Sequence, residues 1–86
     1  MPITDLTHMK SGESGIVTDL RGGHGMLRRL DALGIRYGAR LTKVSGQFMR
    51  GPVIVRVGTM QVAIGFGMAR HVFVEIERIR APGIDK

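Results

Sequence analysis

Histidine and carboxylate side chains are the candidate metal ligands of this sequence. It contains three histidines and no cysteine, which excludes disulfides, thiolate catalysis and thiolate metal ligands. His24 lies close in sequence to Asp19 and Asp31, and imidazole with carboxylate suits zinc or ferrous iron. No two histidines show the i, i+4 spacing of a recognisable metal motif. Two interpretations stay open: a weak divalent-metal site at these three residues, or isolated surface histidines.

The remaining acidic residues do not suggest a catalytic site. The chain has seven of them, spread along its length, and Glu75 and Glu77 share one face of a predicted strand that we expect to face solvent. No serine lies in the setting of a nucleophile elbow, and no pair of titratable groups is placed for acid–base work. The sequence therefore argues against an enzyme.

Arginine dominates the charge of the chain, which is +6 at pH 7. Residues 21–56 hold eight cationic residues against one acidic residue, Asp31. Arginine suits bidentate contacts with carboxylate or phosphate, so this segment is either a solvated basic face or a docking surface for an acidic partner. The candidate partner contacts are Arg28 and Arg29 on a predicted helix and Phe48, Met49 and Arg50 at the tip of a predicted hairpin.

The helix that would carry the first two arginines is predicted over residues 26–33. Leu27, Leu30 and Leu33 recur at three-residue spacing, which is typical of an apolar stripe on one helix face. We expect these leucines to hold the helix against the body of the protein. Gly34 follows directly, as a residue that ends a helix in the left-handed conformation.

Short strands separated by glycines surround this helix. One strand is predicted before it, over residues 15–20, and four follow a tight turn at Gly38. Their predicted ranges are 41–45, 52–57, 60–64 and 72–79, with residues 2–13 as a lead-in and residues 81–86 as a flexible tail. This order predicts a mainly β fold, a small and partly open SH3-like barrel of about five strands with one short helix between the first two. An OB-type barrel also has five strands and a helix, but its helix normally lies between the third and fourth strands. The predicted position of the helix here, between the first and second strands, therefore favours the SH3-like barrel.

A chain of 86 residues has room for one domain with one modest core. We expect that domain to span residues 1–86, with its core at about residues 5–80. No stretch approaches the roughly 20 apolar residues that cross a bilayer, and the N-terminus lacks the pattern of a secretory signal. The expected location is the cytoplasm.

Five short matches to a known pattern occur in order along residues 5–76. They are Asp5-Leu6, G-x-x-G-x-V at residues 12–17, R-L-x-x-L-G-I-x-x-G at residues 29–38, G-P at residues 51–52, and an apolar run from Val62 through Ala69 to Val74. Together they resemble the FeoA family, the small cytosolic component of bacterial ferrous iron uptake. The same domain is found at the C-terminus of metal-dependent repressors.

The resemblance implies an SH3-like barrel with an accessory, non-enzymatic role. The implied partner is the cytosolic part of the FeoB membrane GTPase transporter, which would place the chain at the inner membrane without inserting it. A divalent transition metal, iron or zinc, is compatible with the family, but no ligand set carries over to the histidines of this chain.

The alternative is a nucleic-acid-binding SH3-like barrel that uses the basic central segment. The four aromatic residues of the chain form no recognisable stacking platform for bases, so nucleic acid is the less favoured partner. Small barrels with open edges also pair edge to edge, and a homodimer is a further expectation.

Overall fold

The computed structural model describes residues 2–45 and 50–77. Its strands are β1 (Ile3–Asp5), β2 (Ser14–Leu20), β3 (Arg40–Ser45), β4 (Val53–Val57), β5 (Met60–Ile64) and β6 (Val72–Ile76). Helix α1 (His24–Ala32) connects β2 to β3, helix α2 (Phe66–Ala69) connects β5 to β6, and a 3-10 turn (Leu6–His8) follows β1. The strands form one antiparallel sheet in the order β1-β6-β2-β3-β4-β5.

The mainly β prediction is confirmed, with one correction to the strand count. The predicted lead-in contains β1, which pairs with β6 from Ile3 opposite Glu75 to Asp5 opposite Phe73. Helix α1 therefore follows the second strand and not the first. A strand of three residues is too short to show a period of two, which is why the sequence pattern did not reveal it.

The two outermost strands, β1 and β5, leave the sheet open. Ile3 on β1 and Met60 on β5 are 61% and 60% exposed. Open edges with exposed apolar side chains are compatible with pairing of two copies, and the homodimer stays a prediction. The predicted end of the last strand, residues 78–79, and the tail at 81–86 lie outside the described residues.

Alternating side chains of the sheet build the core together with α1 and the 3-10 turn. Its members are Leu6, Met9, Val17, Leu30, Ile35, Leu41, Val53, Val55, Ile64, Ala69, Val72 and Val74. In β3 the pairing with β4 shifts between Lys43 and Ser45, which leaves Val44 as an extra residue. Leu41 shares its buried face with Lys43, because the two are two residues apart in the strand, and not with Val44.

Helix α1 ends in a Schellman motif. The Gly34 amide donates to the Asp31 carbonyl oxygen and the Ile35 amide to the Leu30 carbonyl oxygen, each at 2.9 Å. Gly34 has a φ of +87°, a conformation that a side chain would strain. Because Leu30 and Ile35 are both fully buried, this motif also directs the chain from the helix into the core. Gly38, at the following turn, has a φ of +83°.

The apolar stripe of α1 differs from the predicted one. Leu30 is fully buried, and Leu33 and Met26 are partly buried and pack against the core. Leu27 instead lines a cavity beside the helix. Met26, Leu30 and Leu33 follow the i, i+4, i+7 spacing of a 3.6-residue period, whereas a strict spacing of three rotates around the helix. The residues that hold α1 on the sheet are therefore Met26, Leu30 and Leu33.

Candidate functional site

Two cavities lie on opposite flanks of α1. The first, here named the Tyr37 groove, has a volume of about 300 Å³ and is lined by Leu20, His24, Leu27, Arg28, Asp31, Ile35, Arg36 and Tyr37. The second, the Met68 groove, has a volume of about 430 Å³ and is lined by Arg29, Ala32, Leu33, Ala63, Ile64, Gly65 and Met68. Both are predominantly apolar, with charged side chains contributed by α1.

The helix geometry assigns the two consecutive arginines to different grooves. Arg28 follows His24 by four residues, so both lie on the flank that faces the Tyr37 groove. Arg29 is rotated by about 100° from Arg28 on the helix surface and lines the Met68 groove. Within the described residues neither arginine has a carboxylate partner. The structure therefore places one exposed, unpaired cation beside each groove.

Other charges near α1 are paired. The Arg36 Nε atom lies 3.1 Å from an Asp31 carboxylate oxygen, and its Nη2 atom donates to the Asp31 carbonyl oxygen at 2.9 Å. Arg21 Nε donates to Asp19 at 2.8 Å, and this hydrogen bond lowers the pKa of Asp19 below its usual value. Both acids proposed as metal ligands are thus already engaged by arginine.

The structure does not assemble the three candidate metal ligands into one site. His24 and Asp31 line the Tyr37 groove, whereas Asp19 does not. Across residues 2–45 and 50–77, no group of three or more His, Asp or Glu side chains is placed to hold one ion. The other histidines contact protein groups, since His8 Nδ1 lies 3.0 Å from Asp5 and His71 Nδ1 lies 2.9 Å from the Gly67 carbonyl oxygen. The Tyr37 groove therefore offers an ion two of the three predicted ligands, His24 and Asp31.

The predicted hairpin contacts are only partly described. Phe48 and Met49 lie outside the described residues. Arg50 is exposed and lines a third cavity, separate from both grooves beside α1. The structure therefore does not bring Arg50 together with Arg28 or Arg29.

Lys43 is a buried cation, although it belongs by sequence to the basic segment. It is 2% exposed, and its Nζ atom donates to the carbonyl oxygens of Met9 at 2.7 Å, Leu6 at 2.9 Å and Thr7 at 3.4 Å. Burial lowers the pKa of Lys43 below its ordinary value of 10.5, and the charges of nearby acids partly offset this shift. The sequence does contain an indication that Lys43 is buried. It lies two residues after the apolar Leu41 in a strand, and such residues point to the same, inward face.

The basic segment is therefore less basic at the surface than in the sequence. Arg21 and Arg36 pair with acids, and Arg40 makes two hydrogen bonds to Glu77 at 2.8 and 3.0 Å. Since Lys43 is buried as well, half of the eight cations of residues 21–56 are engaged within the protein. The other four, Arg28, Arg29, Arg50 and Arg56, have no ion pair among the described residues, but Arg28, Arg29 and Arg50 line three separate cavities and so form no continuous phosphate-binding face.

Asp5 stabilises the 3-10 turn whose carbonyl groups hold Lys43. Its carboxylate accepts from the Thr7 amide at 2.8 Å and from the Thr7 hydroxyl, and it lies 3.0 Å from His8 Nδ1. Burial raises the pKa of Asp5, but the hydrogen bonds from Thr7 and His8 outweigh burial and bring it below the ordinary value of 3.8. The ionised carboxylate therefore stabilises the folded state.

Replacement of Asp5 by asparagine is expected to reveal this stabilisation. The difference in the free energy of unfolding between the wild type and Asp5→Asn should depend on pH. Above pH 3.8 the wild type should exceed Asp5→Asn by about 1 kcal/mol in the free energy of unfolding, because hydrogen bonds to a charged acceptor contribute more than those to a neutral amide oxygen. This advantage is lost as pH falls through the lowered pKa, because the folded protein must then bind the proton. Urea unfolding of both proteins between pH 7 and pH 2 measures it, and a constant difference would contradict it.

Six short antiparallel strands, the single-turn helix α2 and the longer helix α1 together define a small SH3-like β domain. Neither helix in the described ranges is long or apolar enough to cross a membrane. The FeoA domain family matches residues 4–76, and the chain belongs to this family.

Relatives agree with this assignment. A Methanocaldococcus jannaschii protein named as a candidate Fe(2+) transport protein A is 37% identical over 70 residues, which cover 81% of this chain and 83% of that protein. The crystal structure of an iron uptake regulatory protein, FeoA, superposes with a TM-score of 0.84 at 33% identity, over 88% of this chain and 100% of the other.

A third relative was crystallised with a metal. Stenotrophomonas maltophilia FeoA in complex with zinc has a TM-score of 0.69 at 28% identity, over 87% of this chain and 96% of the other. It is described as a prokaryotic SH3 domain protein and a candidate activating factor of ferrous iron transport. The SH3-like prediction is thus confirmed.

Proposed function

We propose that this chain is a non-enzymatic accessory protein of ferrous iron uptake that binds the cytosolic part of the FeoB membrane GTPase transporter. Membership of the FeoA family over residues 4–76 supports this role, as do relatives named for ferrous iron transport. The chain would act in the cytoplasm, held at the inner membrane by its partner.

The observation that carries the partner proposal is the pair of grooves beside α1. Each is mainly apolar and has an exposed arginine without a carboxylate partner in the described residues, Arg28 at one and Arg29 at the other. Protein-binding sites combine an apolar centre with a polar rim, and arginine is enriched among the residues that contribute most to affinity. We propose that a segment of the transporter with apolar and acidic side chains occupies this surface.

Reversal of both arginine charges tests the surface directly. Arg28→Glu with Arg29→Glu is expected to weaken binding to the GTPase domain of the transporter by about tenfold or more, because attraction to acidic groups becomes repulsion. The measurement is a calorimetric titration with the domain from the same genome, in each nucleotide state. Thermal unfolding of the double variant should match the wild type, since both side chains are exposed.

A matched control makes the same change of charge elsewhere. Lys10 and Arg56 are exposed and line neither groove, so Lys10→Glu with Arg56→Glu should retain most of the affinity. An equal loss in both double variants would show that net charge, and not the surface beside α1, controls binding. Absence of binding in any nucleotide state would contradict the proposed partner and favour a salt series on heparin or RNA.

Ferrous iron enters the same titration as a second variable. Zinc in the S. maltophilia structure supports metal binding by that relative, and His24 with Asp31 is the candidate pair in this chain. An affinity that rises with iron and loses this dependence in His24→Ala would assign the ion to the Tyr37 groove. A dependence on iron that survives in His24→Ala would place the ion elsewhere.

A further inference from the structure

A third cavity, here named the Arg50 cavity, differs in chemistry from the grooves beside α1. It has a volume of about 440 Å³, lies where the 3-10 turn contacts α2, and is mainly polar. Its lining residues are Asp5, Thr7, His8, Arg50, Phe66 and Arg70. It shares no lining residue with the two grooves and is therefore separate from the proposed partner surface.

Arg50 enters this cavity from an unusual backbone conformation. Its φ is +65°, and among the described residues it is the only residue other than glycine with a positive φ. Left-handed backbone at a non-glycine residue is uncommon and costs free energy. The Arg50 guanidinium carbon lies 5.8 Å from the centroid of the Phe66 ring, within the range of a cation–π interaction. The guanidinium is therefore held against the wall of the cavity by an aromatic ring.

The charges around the cavity leave its arginines uncompensated. Neither Arg50 nor Arg70 forms an ion pair within residues 2–45 and 50–77. The acid in the wall, Asp5, is engaged by the backbone and hydroxyl of Thr7 and by His8. Among the described residues, the two guanidinium groups thus share the cavity with one carboxylate, Asp5, which pairs with Thr7 and His8 and with neither arginine.

The buried Lys43 adds a third positive charge behind the same wall. Its ammonium group binds the carbonyl oxygen of Thr7, and the charge of Asp5 raises the pKa of Lys43 against the effect of burial. Two acids act on Lys43, Asp5 and Glu13, so the three cations leave a net charge of about one positive unit around the cavity. An anion with more than two acceptor oxygens can contact both guanidinium groups of the cavity at once.

We propose that the Arg50 cavity binds a phosphate group, either inorganic phosphate or the phosphate of a small organic monoester. Planar guanidinium groups match phosphate oxygens in bidentate geometry. In this arrangement the forks of Arg50 and Arg70 hold the phosphate from two sides. Phe66 keeps Arg50 in place. This site is additional to the proposed transporter surface and does not depend on it.

The test is a titration of the full chain with inorganic phosphate at constant ionic strength, followed by amide chemical shifts. We expect saturable shifts at Thr7 and Phe66, and a loss of affinity of about tenfold or more in Arg70→Gln because charge-assisted hydrogen bonds are removed. Arg56→Gln, at an exposed arginine on β4 outside the cavity, should bind as the wild type does. Equal losses in both variants, or shifts that never saturate, would overturn the proposal.

Arg50→Gly separates binding from folding. Glycine adopts a φ near +65° without strain, so this variant should melt no lower than the wild type while losing phosphate binding. Retained affinity in Arg50→Gly would overturn the proposed role of Arg50.

Two further ligands define the chemical class. Acetate at the same ionic strength should bind far more weakly than phosphate, and equal binding would overturn the choice of phosphate. Phenyl phosphate distinguishes the two sources: tighter binding than inorganic phosphate supports an organic monoester, and equal binding supports the inorganic anion.

Discussion

Leu30→Ala is expected to lower the free energy of unfolding by about 2–5 kcal/mol, the range for removing a leucine side chain from a packed core. Leu30 is fully buried, and it anchors α1 at two levels. Its side chain packs in the core, and its carbonyl oxygen accepts from the Ile35 amide in the motif that ends the helix. Truncation leaves a cavity between α1 and the sheet that the open fold cannot fill without moving the helix.

Leu27→Ala is the matched control for this prediction. Leu27 has the same chemistry and lies three residues earlier on the same helix, but it is only partly buried and lines the Tyr37 groove. We expect it to cost about 1 kcal/mol and to reduce the affinity for the partner instead. Urea unfolding of both variants measures the contrast. Equal costs would contradict the conclusion that Met26, Leu30 and Leu33 hold the helix on the sheet.

Lys43→Met is expected to lower the free energy of unfolding by about 3 kcal/mol, although methionine is the more apolar residue. The ammonium group is the donor for the carbonyl oxygens of Leu6, Thr7 and Met9. Methionine fills similar space but cannot donate, so these acceptors lose a charged hydrogen-bond donor where the site is buried. The desolvation of the lysine, which its lowered pKa reflects, offsets part of the loss and keeps the cost from being larger.

Lys10→Met supplies the control for Lys43→Met. Lys10 is exposed, and the same substitution there should change stability by about 0.5 kcal/mol or less. Hydrogen exchange would locate the effect, because loss of the Lys43 contacts should first release the 3-10 turn and β1. If Lys43→Met has the same free energy of unfolding as the wild type, the carbonyl groups find other donors. The hydrogen bonds of Lys43 then make no net contribution to stability.

Much of the architecture could be predicted from local patterns. The strands at 53–57 and 60–64 and the turn at Gly58 follow from alternation and turn chemistry, which act between neighbouring residues. Strand β1 was missed because three residues show no period. Leu27 is partly buried outside the core that contains Leu30, a difference that a spacing of three does not reveal. The order of motifs along residues 5–76 was sufficient to indicate the family, whose domain matches residues 4–76.

The candidate site was less accessible to sequence reasoning. Arg28 and Arg29 were both predicted as partner contacts, and this stays a prediction. The structure adds that adjacent positions on the helix point about 100° apart, so the two side chains line different grooves. The Arg50 cavity was not anticipated, because it joins residues from the 3-10 turn, the hairpin end and α2. These residues are far apart in the sequence, so no short sequence pattern predicts that they line one cavity.

The class of fold, the helix with its glycine terminus and membership of the FeoA family could all be inferred from the amino-acid sequence, because they depend on short-range periodicity and on the order of motifs. Which charges are available at the surface depends instead on the tertiary structure. Arg40 meets Glu77 and Lys43 meets Leu6 across 37 residues in each case. Such pairings arise from how the strands are ordered in the sheet. For that reason the eight cations of one basic segment became three arginines in ion pairs, one buried lysine and four other exposed arginines, of which two lie beside the grooves.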